Sequence, residues 1–170
     1  MEFFEVIKDR YSCKSFSDKK IDKEVMDKIL EAARLAPTAK NLQEHHIYVV
    51  ESEEMLSKID EVTPCRYNAP VVLVVTYNVN NVFVYPGNKR DSGIEDATIV
   101  ATHLMLASKA LDADSCWINF FNPEEVKEKL GLPEDEEVLM MLDLGYPAAD
   151  AKPLANHNSR KELKETVSYL

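Results

Sequence analysis

Val71-Val72-Leu73-Val74-Val75-Thr76 is an unbroken run of apolar and β-branched residues within a 170-residue chain. A strand with one wet face would alternate apolar with polar side chains; a run this short without alternation marks a strand covered on both faces. Helices are therefore expected on both sides of the sheet, and the flanking sequence supplies them. Upstream, Ser52 can cap a helix over 53–62, preceded by a strand over 46–50. Before that, Asp22 opens a helix over 23–36 in which Val25, Ile29, Leu30, Ala33 and Ala36 recur at helical spacing. Pro37 stops it, because the ring disfavours helical geometry in the residue before it. A short amphipathic helix over 2–10 would place Phe3, Val6, Ile7 and Arg10 on one side. Downstream, a turn-rich segment over 78–91 leads to the longest helix, 94–111, apolar on much of its circumference. A strand over 115–119, a helix opened by Pro123 and a strand over 137–144 complete the series. Strands alternating with helices predict an α/β or α+β layer arrangement with four or five strands.

One domain over 1–170 is the expectation for this length, which suffices to bury roughly 70% of the unfolded surface. The tail, 148–170, has too few apolar residues for a core of its own, so it must lie against something, and a second chain is the natural choice. Twenty Lys+Arg against thirty Asp+Glu give a net charge of −10, with 45% hydrophobic residues and a mean hydropathy of −0.29. Such a surface repels phosphate backbones and anionic membranes at long range, so neither is an expected partner. An anionic ligand would need a local nest of basic residues. Cys13, Cys65 and Cys116 lie about fifty positions apart with no CxxC pair, which suits a reducing compartment and predicts a cytoplasmic protein. The N-terminus lacks the pattern of a signal peptide, and the apolar stretch 97–108 is short of the ~17 residues of a membrane span.

Several chemistries are excluded by what is missing. With four glycines and no GxGxxG, GxxxxGK[ST] or GxSxG, the chain has no nucleotide loop and no nucleophile elbow. His45 and His46, adjacent on a strand, point to opposite faces, and His103, within the apolar long helix, reads as a hydrogen-bonded core histidine; no metal site is expected. Cys116 reads as a packed small hydrophobe. Glu95 and Asp96 diverge by about 100° on a helix and read as ordinary first-turn acids. Arg10, Ser12 and Lys14, however, alternate; in an extended segment they share one face, giving two cations and a hydroxyl. Arg160-Lys161 supplies a second basic pair. These groups could hold a phosphate, or they could be ordinary solvated charges.

Six blocks in order resemble the FMN-dependent nitroreductase family. They are Arg10-Tyr11-Ser12-Cys13-Lys14-Ser15-Phe16, Ala36-Pro37-Thr38-Ala39-Lys40-Asn41-Leu42-Gln43, Asp91-Ser92-Gly93-Ile94, Ser115-Cys116-Trp117-Ile118, Gly145-Tyr146-Pro147 and Arg160-Lys161. The resemblance implies an α+β fold with a central mixed, largely antiparallel sheet, built as an intertwined homodimer whose tails reach over the partner. It implies that Arg10, Ser12 and Arg160 hold the FMN phosphate and that Lys14 lies toward the pyrimidine side of the ring. Pro37, Thr38, Ala39 and Asn41 would come from the other chain, and the backbone of Gly93 and Ile94 would face N5. No side chain is expected to act as an acid, base or nucleophile, because the flavin carries the chemistry. NAD(P)H would reduce the FMN and a nitroaromatic, quinone or similar small-molecule acceptor would reoxidise it, in ping-pong order. A non-catalytic FMN-binding protein and a specialised flavin enzyme of the same fold are the alternatives. Three departures stand out: Tyr11 in place of a second basic residue, Asp112-Ala113-Asp114 in place of a small-residue turn, and a short 78–90 segment where larger members roof the site.

Overall fold

The computed structural model describes residues 2–170. Four antiparallel strands form one sheet in the order β1-β2-β4-β3: β1 His45–Val50, β2 Val71–Asn78, β3 Asp114–Ile118 and β4 Glu136–Gly145. A single parallel bridge, Ser12 to Ser115, adds the chain's beginning to the outer edge of β3, so the sheet is mixed but largely antiparallel. Every β2 residue from Val71 to Tyr77 is buried. The reason is layering: Val71, Leu73, Val75 and Tyr77 face a core shared with α2 (Lys23–Arg34) and α4 (Gly93–Ala110). Val72 and Val74 face a second core that includes Leu56 and Ile59 of α3 (Glu53–Val62) and Val126 of α5 (Pro123–Leu130). The fold is α+β, with helices on both faces of an antiparallel sheet.

Helix α2 ends at Arg34, two residues before the expected stop, since Leu35 already serves as its cap ahead of Pro37. On α1 (Phe3–Asp9) only Val6 is buried, while Phe3, Phe4 and Ile7 are exposed, so the expected apolar side is covered at one position. Helix α4 is apolar around most of its circumference, yet Ile94 and Ile99 are uncovered. The tail divides in two. Its first half folds against its own chain, through Ala148 N–H to Ser15 O and the Ser15 hydroxyl to Asp150. From residue 158 on every residue is exposed, including Leu163 of α6 (Leu163–Thr166), Val167 and Tyr169. Among the described residues no helix is long and apolar enough to cross a membrane.

Candidate functional site

The site residues expected from sequence fall into two groups on opposite edges of the sheet. Arg10, Ser12 and Lys14 run along the outer edge of β3, where Cys13 N–H donates to Ser115 O at 3.0 Å. This extended geometry produces the expected alternation: Cys13 is fully buried, while Lys14 faces solvent and Ser12 is half-buried. Ser12 and Lys14 line a concavity of about 400 Å³ with Trp117, Asn119, Phe120 and Leu154. That volume is in the range of small-molecule sites. The tail reaches the same place: Leu154 lines the concavity, and His157 packs edge-on against Tyr11 with ring centroids 6.4 Å apart. Arg160 follows three residues later, its guanidinium donating to the carbonyls of His157 and Ser159. Among the described residues no carboxylate lies within ion-pair distance of Arg10, Lys14 or Arg160. In a chain of net charge −10 that is a local excess of positive charge.

Asn119 and Phe120 were not legible as site residues. Asn119 accepts the Trp117 indole N–H at 2.8 Å, which fixes it at the end of β3, and Phe120 is 73% exposed. An aromatic residue after a strand reads as core; only the fold shows this one uncovered at a pocket rim.

Burial governs the titratable groups on and around β3. It pushes the Cys116 thiol up to about 12 and the Cys13 thiol upward as well, so both stay protonated and neither is an activated nucleophile. Asp143, paired across the strands with Cys116, is 1% exposed, and burial pushes its carboxyl up to about 9.

Pro37, Thr38, Ala39 and Asn41 occupy the opposite edge, immediately before β1. Four strands put the two edges roughly 14 Å apart at ~4.8 Å per spacing, so one set of ligand atoms cannot touch both groups of a single chain. The turn is held in an unusual shape: Lys40, Asn41 and Gln43 have φ of 52°, 56° and 55°, a left-handed geometry uncommon for such side chains. Gln43 N–H donates to the Thr38 hydroxyl at 3.0 Å, and Ala39 N–H donates to Asp96 Oδ1 at 2.9 Å. Asp96 is thus more than a first-turn acid. It diverges from Glu95 as expected, but it turns inward, 4% exposed, whereas Glu95 accepts the Tyr85 hydroxyl and pairs with Arg90.

Gly93 and Ile94 belong to this second group. Gly93 is buried at the start of α4. Its N–H is already donated to Asp91 Oδ1 at 3.0 Å, and an added Cβ would meet Tyr77 Cε2 at 2.3 Å. The glycine makes room for Tyr77; Ile94, 59% exposed, is the outward member of the pair. The 78–90 segment folds into a short hairpin closed by the Val84–Asp91 bridge, and Lys40 Nζ stands 4.8 Å from the Phe83 ring centroid. It therefore packs beside the 38–41 turn.

His45 and His46 do point apart. His46 Nδ1 lies 3.1 Å from Glu136, whereas His45 Nδ1 is buried without a partner. His103 is half-buried and bonds Ile99 O within its own helix.

Comparison with known proteins bears on the fold as a whole. The nitroreductase family profile matches residues 7–65 and 64–146. A protein of Archaeoglobus fulgidus, provisionally described as an NADH dehydrogenase/NAD(P)H nitroreductase, is 34% identical over 153 residues, 86% of each chain. A crystal structure of a nitroreductase family protein from Clostridium difficile 630 superimposes with a TM-score of 0.92 at 33% identity, covering 99% of this chain and 98% of that one. An FMN-dependent nitroreductase from Clostridium difficile R20291 gives 0.81 at 27% identity, covering 98% of both. With 7–146 matched and the fold shared almost end to end, the chain belongs to the nitroreductase family.

Proposed function

We propose that the protein is an FMN-dependent NAD(P)H oxidoreductase that works as a homodimer on nitroaromatics, quinones or similar electron-poor small molecules. The observation that carries this reading is the pairing of an open concavity lined by Ser12 and Lys14 on one sheet edge with a strained turn on the other. Each is half of a site, and a second copy of the chain brings the missing half. Uncovered Ile94 and Ile99 on α4, Phe3 and Phe4 on α1, and Leu163, Val167 and Tyr169 in the tail supply apolar surface for that second copy.

Arg10, Ser12 and Arg160 hold the phosphate; Arg grips such a group bidentately, with about 1.5–3 kcal/mol per charged hydrogen bond. Lys14 sets its ammonium beside the pyrimidine edge, where it favours negative charge. Pro37, Thr38, Ala39 and Asn41 of the other copy border the ring, with Ile94 and the 78–90 hairpin beside them. Bound FMN supplies hydride acceptance and release, so this chain's residues need only bind, orient and leave one face open to nicotinamide and acceptor in turn. Cys13, Cys65 and Cys116 are free thiols, which suits the cytoplasm.

The test is direct. The purified protein should be yellow, with one FMN per chain in a dimer, and should bleach on anaerobic mixing with NADH or NADPH. Arg10→Ala combined with Arg160→Ala should release the flavin on ultrafiltration. A colourless protein that takes up no added FMN would refute the proposal, and a yellow one that neither nucleotide bleaches would refute its reductase half.

A further inference from the structure

Directly behind the 38–41 turn lie two carboxyl groups that the proposed chemistry does not use. Glu44 is 5% exposed and neither of its carboxyl oxygens has a hydrogen-bond partner. Asp96, reaching in from α4, is 4% exposed; Oδ1 accepts the Ala39 N–H, while Oδ2 has no partner. Both flank the turn, Glu44 just after it and Asp96 through the Ala39 N–H, and the Asp96 carboxyl is among the groups that raise Glu44. Two carboxylates are acceptors only, and as a pair of buried anions they would repel. A proton placed between them converts the repulsion into a hydrogen bond and satisfies the orphaned oxygens.

Among the described residues no lysine or arginine pairs with either carboxyl. On β1, burial pushes His45 down and His46 adds to this, while Asp96 pulls it the other way; its Nδ1 is unpartnered. On β2, Tyr77 opposes His45 in register but donates its hydroxyl to Glu137 at 2.6 Å. On α4, Glu95 is engaged by Arg90 and Tyr85. Lys40 of the turn lies over Phe83, and Asp91 takes the Gly93 N–H.

We propose that Glu44 and Asp96 share one proton as a single acid, and that this pair is the positioning element that holds the 38–41 turn in its flavin-facing shape. A turn with two left-handed non-glycine residues, Lys40 and Asn41, and a third at Gln43 just after it needs such an anchor, since its backbone is not one the chain adopts unaided. Burial, reinforced by Asp96, pushes Glu44 up to about 7, so the proton is lost just above neutral pH. Asp96 is then faced by a second anion, and its hold on Ala39 loosens. The consequence for flavin rests on the function proposed above; the shared proton does not.

The experiment separates the two. Infrared spectra of the holoenzyme are taken across pH for wild type, Glu44→Gln, Asp96→Asn and Asp143→Asn, the last removing the other buried protonated carboxyl. A protonated-carboxyl C=O band that disappears with a midpoint near pH 7 is expected in wild type and Asp143→Asn. It should be absent from Glu44→Gln and shifted to lower pH in Asp96→Asn, where the anionic neighbour is gone. FMN affinity is then measured at about pH 6 and about pH 8.5. Wild type should weaken about tenfold more than Glu44→Gln, equivalent to one pKa unit between the flavin-bound and flavin-free pair. The phosphate's own ionisation affects both proteins alike and cancels. A band that survives Glu44→Gln, or the same pH response of affinity in both proteins, overturns the proposal. A protein that binds no flavin fails the functional reading, while the band still decides the shared proton.

Discussion

Replacing Asp143 with Asn should flatten the fall of stability with pH. Asp143 sits on β4 between Val72 of β2 and Cys116 of β3, 1% exposed, with Oδ2 unpartnered. Its nearest cation, Arg66, is committed elsewhere: the guanidinium bonds both Asp60 oxygens at 2.7 and 2.6 Å and the Ala69 carbonyl at 2.9 Å. Burial therefore dominates and raises the carboxyl from its ordinary 3.8 to about 9. Because the folded value lies above the unfolded one, the native state holds a proton that the unfolded chain has released. The stabilisation is complete below about 3.8 and is lost as pH climbs toward about 9. Within that window each pH unit removes ~1.4 kcal/mol, so about 4 kcal/mol disappears between about pH 5 and about pH 8. Against a typical total of about 5–15 kcal/mol this is a large share. The Asn variant cannot ionise, and its unpaired amide costs about 1–3 kcal/mol at every pH. Urea unfolding at several pH values should thus show Asp143→Asn less stable than wild type in acid and more stable in mild alkali. Glu44 and every other titrating group is common to both proteins and drops out of the difference. Parallel curves, with a constant gap from acid to alkali, would show that Asp143 is not protonated in the folded state.

Gly93→Ala drives a methyl group to 2.3 Å from Tyr77 Cε2 and 2.4 Å from Cδ2. Overpacking of this kind costs about 1–3 kcal/mol, and thermal unfolding should come several degrees earlier; an unchanged midpoint would mean the Tyr77 ring is free to move. Ile99→Glu places a charge at an uncovered apolar position of α4. Sedimentation should show a dimer for wild type and a monomer for the variant, with flavin lost together with the dimer because each site needs both edges. A flavin-loaded wild-type monomer would contradict that account.

Strand β2 was legible because a run without alternation has one physical explanation, burial on both faces, and the structure buries it from Val71 to Tyr77. The segment 12–14 was legible for the complementary reason: alternation sends Cys13 inward and its neighbours outward. Helix ends were less so, since Pro37 limits where α2 can continue but does not require it to run up to the limit. What sequence could not supply was partnership. Glu44 and Asp96 are separated by 52 positions and meet only because β1 and α4 pack across the 38–41 turn. A glycine advertises space without naming its occupant: at Gly93 the ring of Tyr77 fills the place a side chain would take. Phe120 was hidden by its own chemistry, because an apolar side chain carries no mark that distinguishes a pocket rim from a core.

The acid pair and the cation nest belong to one electrostatic problem. The chain carries ten more acidic than basic residues, yet its proposed ligand bears nearly two negative charges on its phosphate. Within one protomer the problem is solved by distance: Arg10 and Lys14 lie along β3, whereas Glu44 and Asp96 lie at the β1 edge, roughly 14 Å away, beyond the ~8 Å over which exposed charges interact at physiological salt. The proposed dimer would undo that separation, because it would carry the 38–41 turn of one copy, with the carboxyls behind it, toward the flavin held by the other. A fully ionised pair would then present two buried negative charges to an anionic cofactor, in a setting where solvent screens poorly. A shared proton halves that charge and at the same time provides the hydrogen bond that anchors the turn. On this reasoning neutralising the pair should matter more in the dimer than in the isolated chain. The midpoint of the Glu44 band should therefore shift downward in the monomeric Ile99→Glu variant; an unshifted midpoint would mean that the pair does not sense the cofactor across the interface.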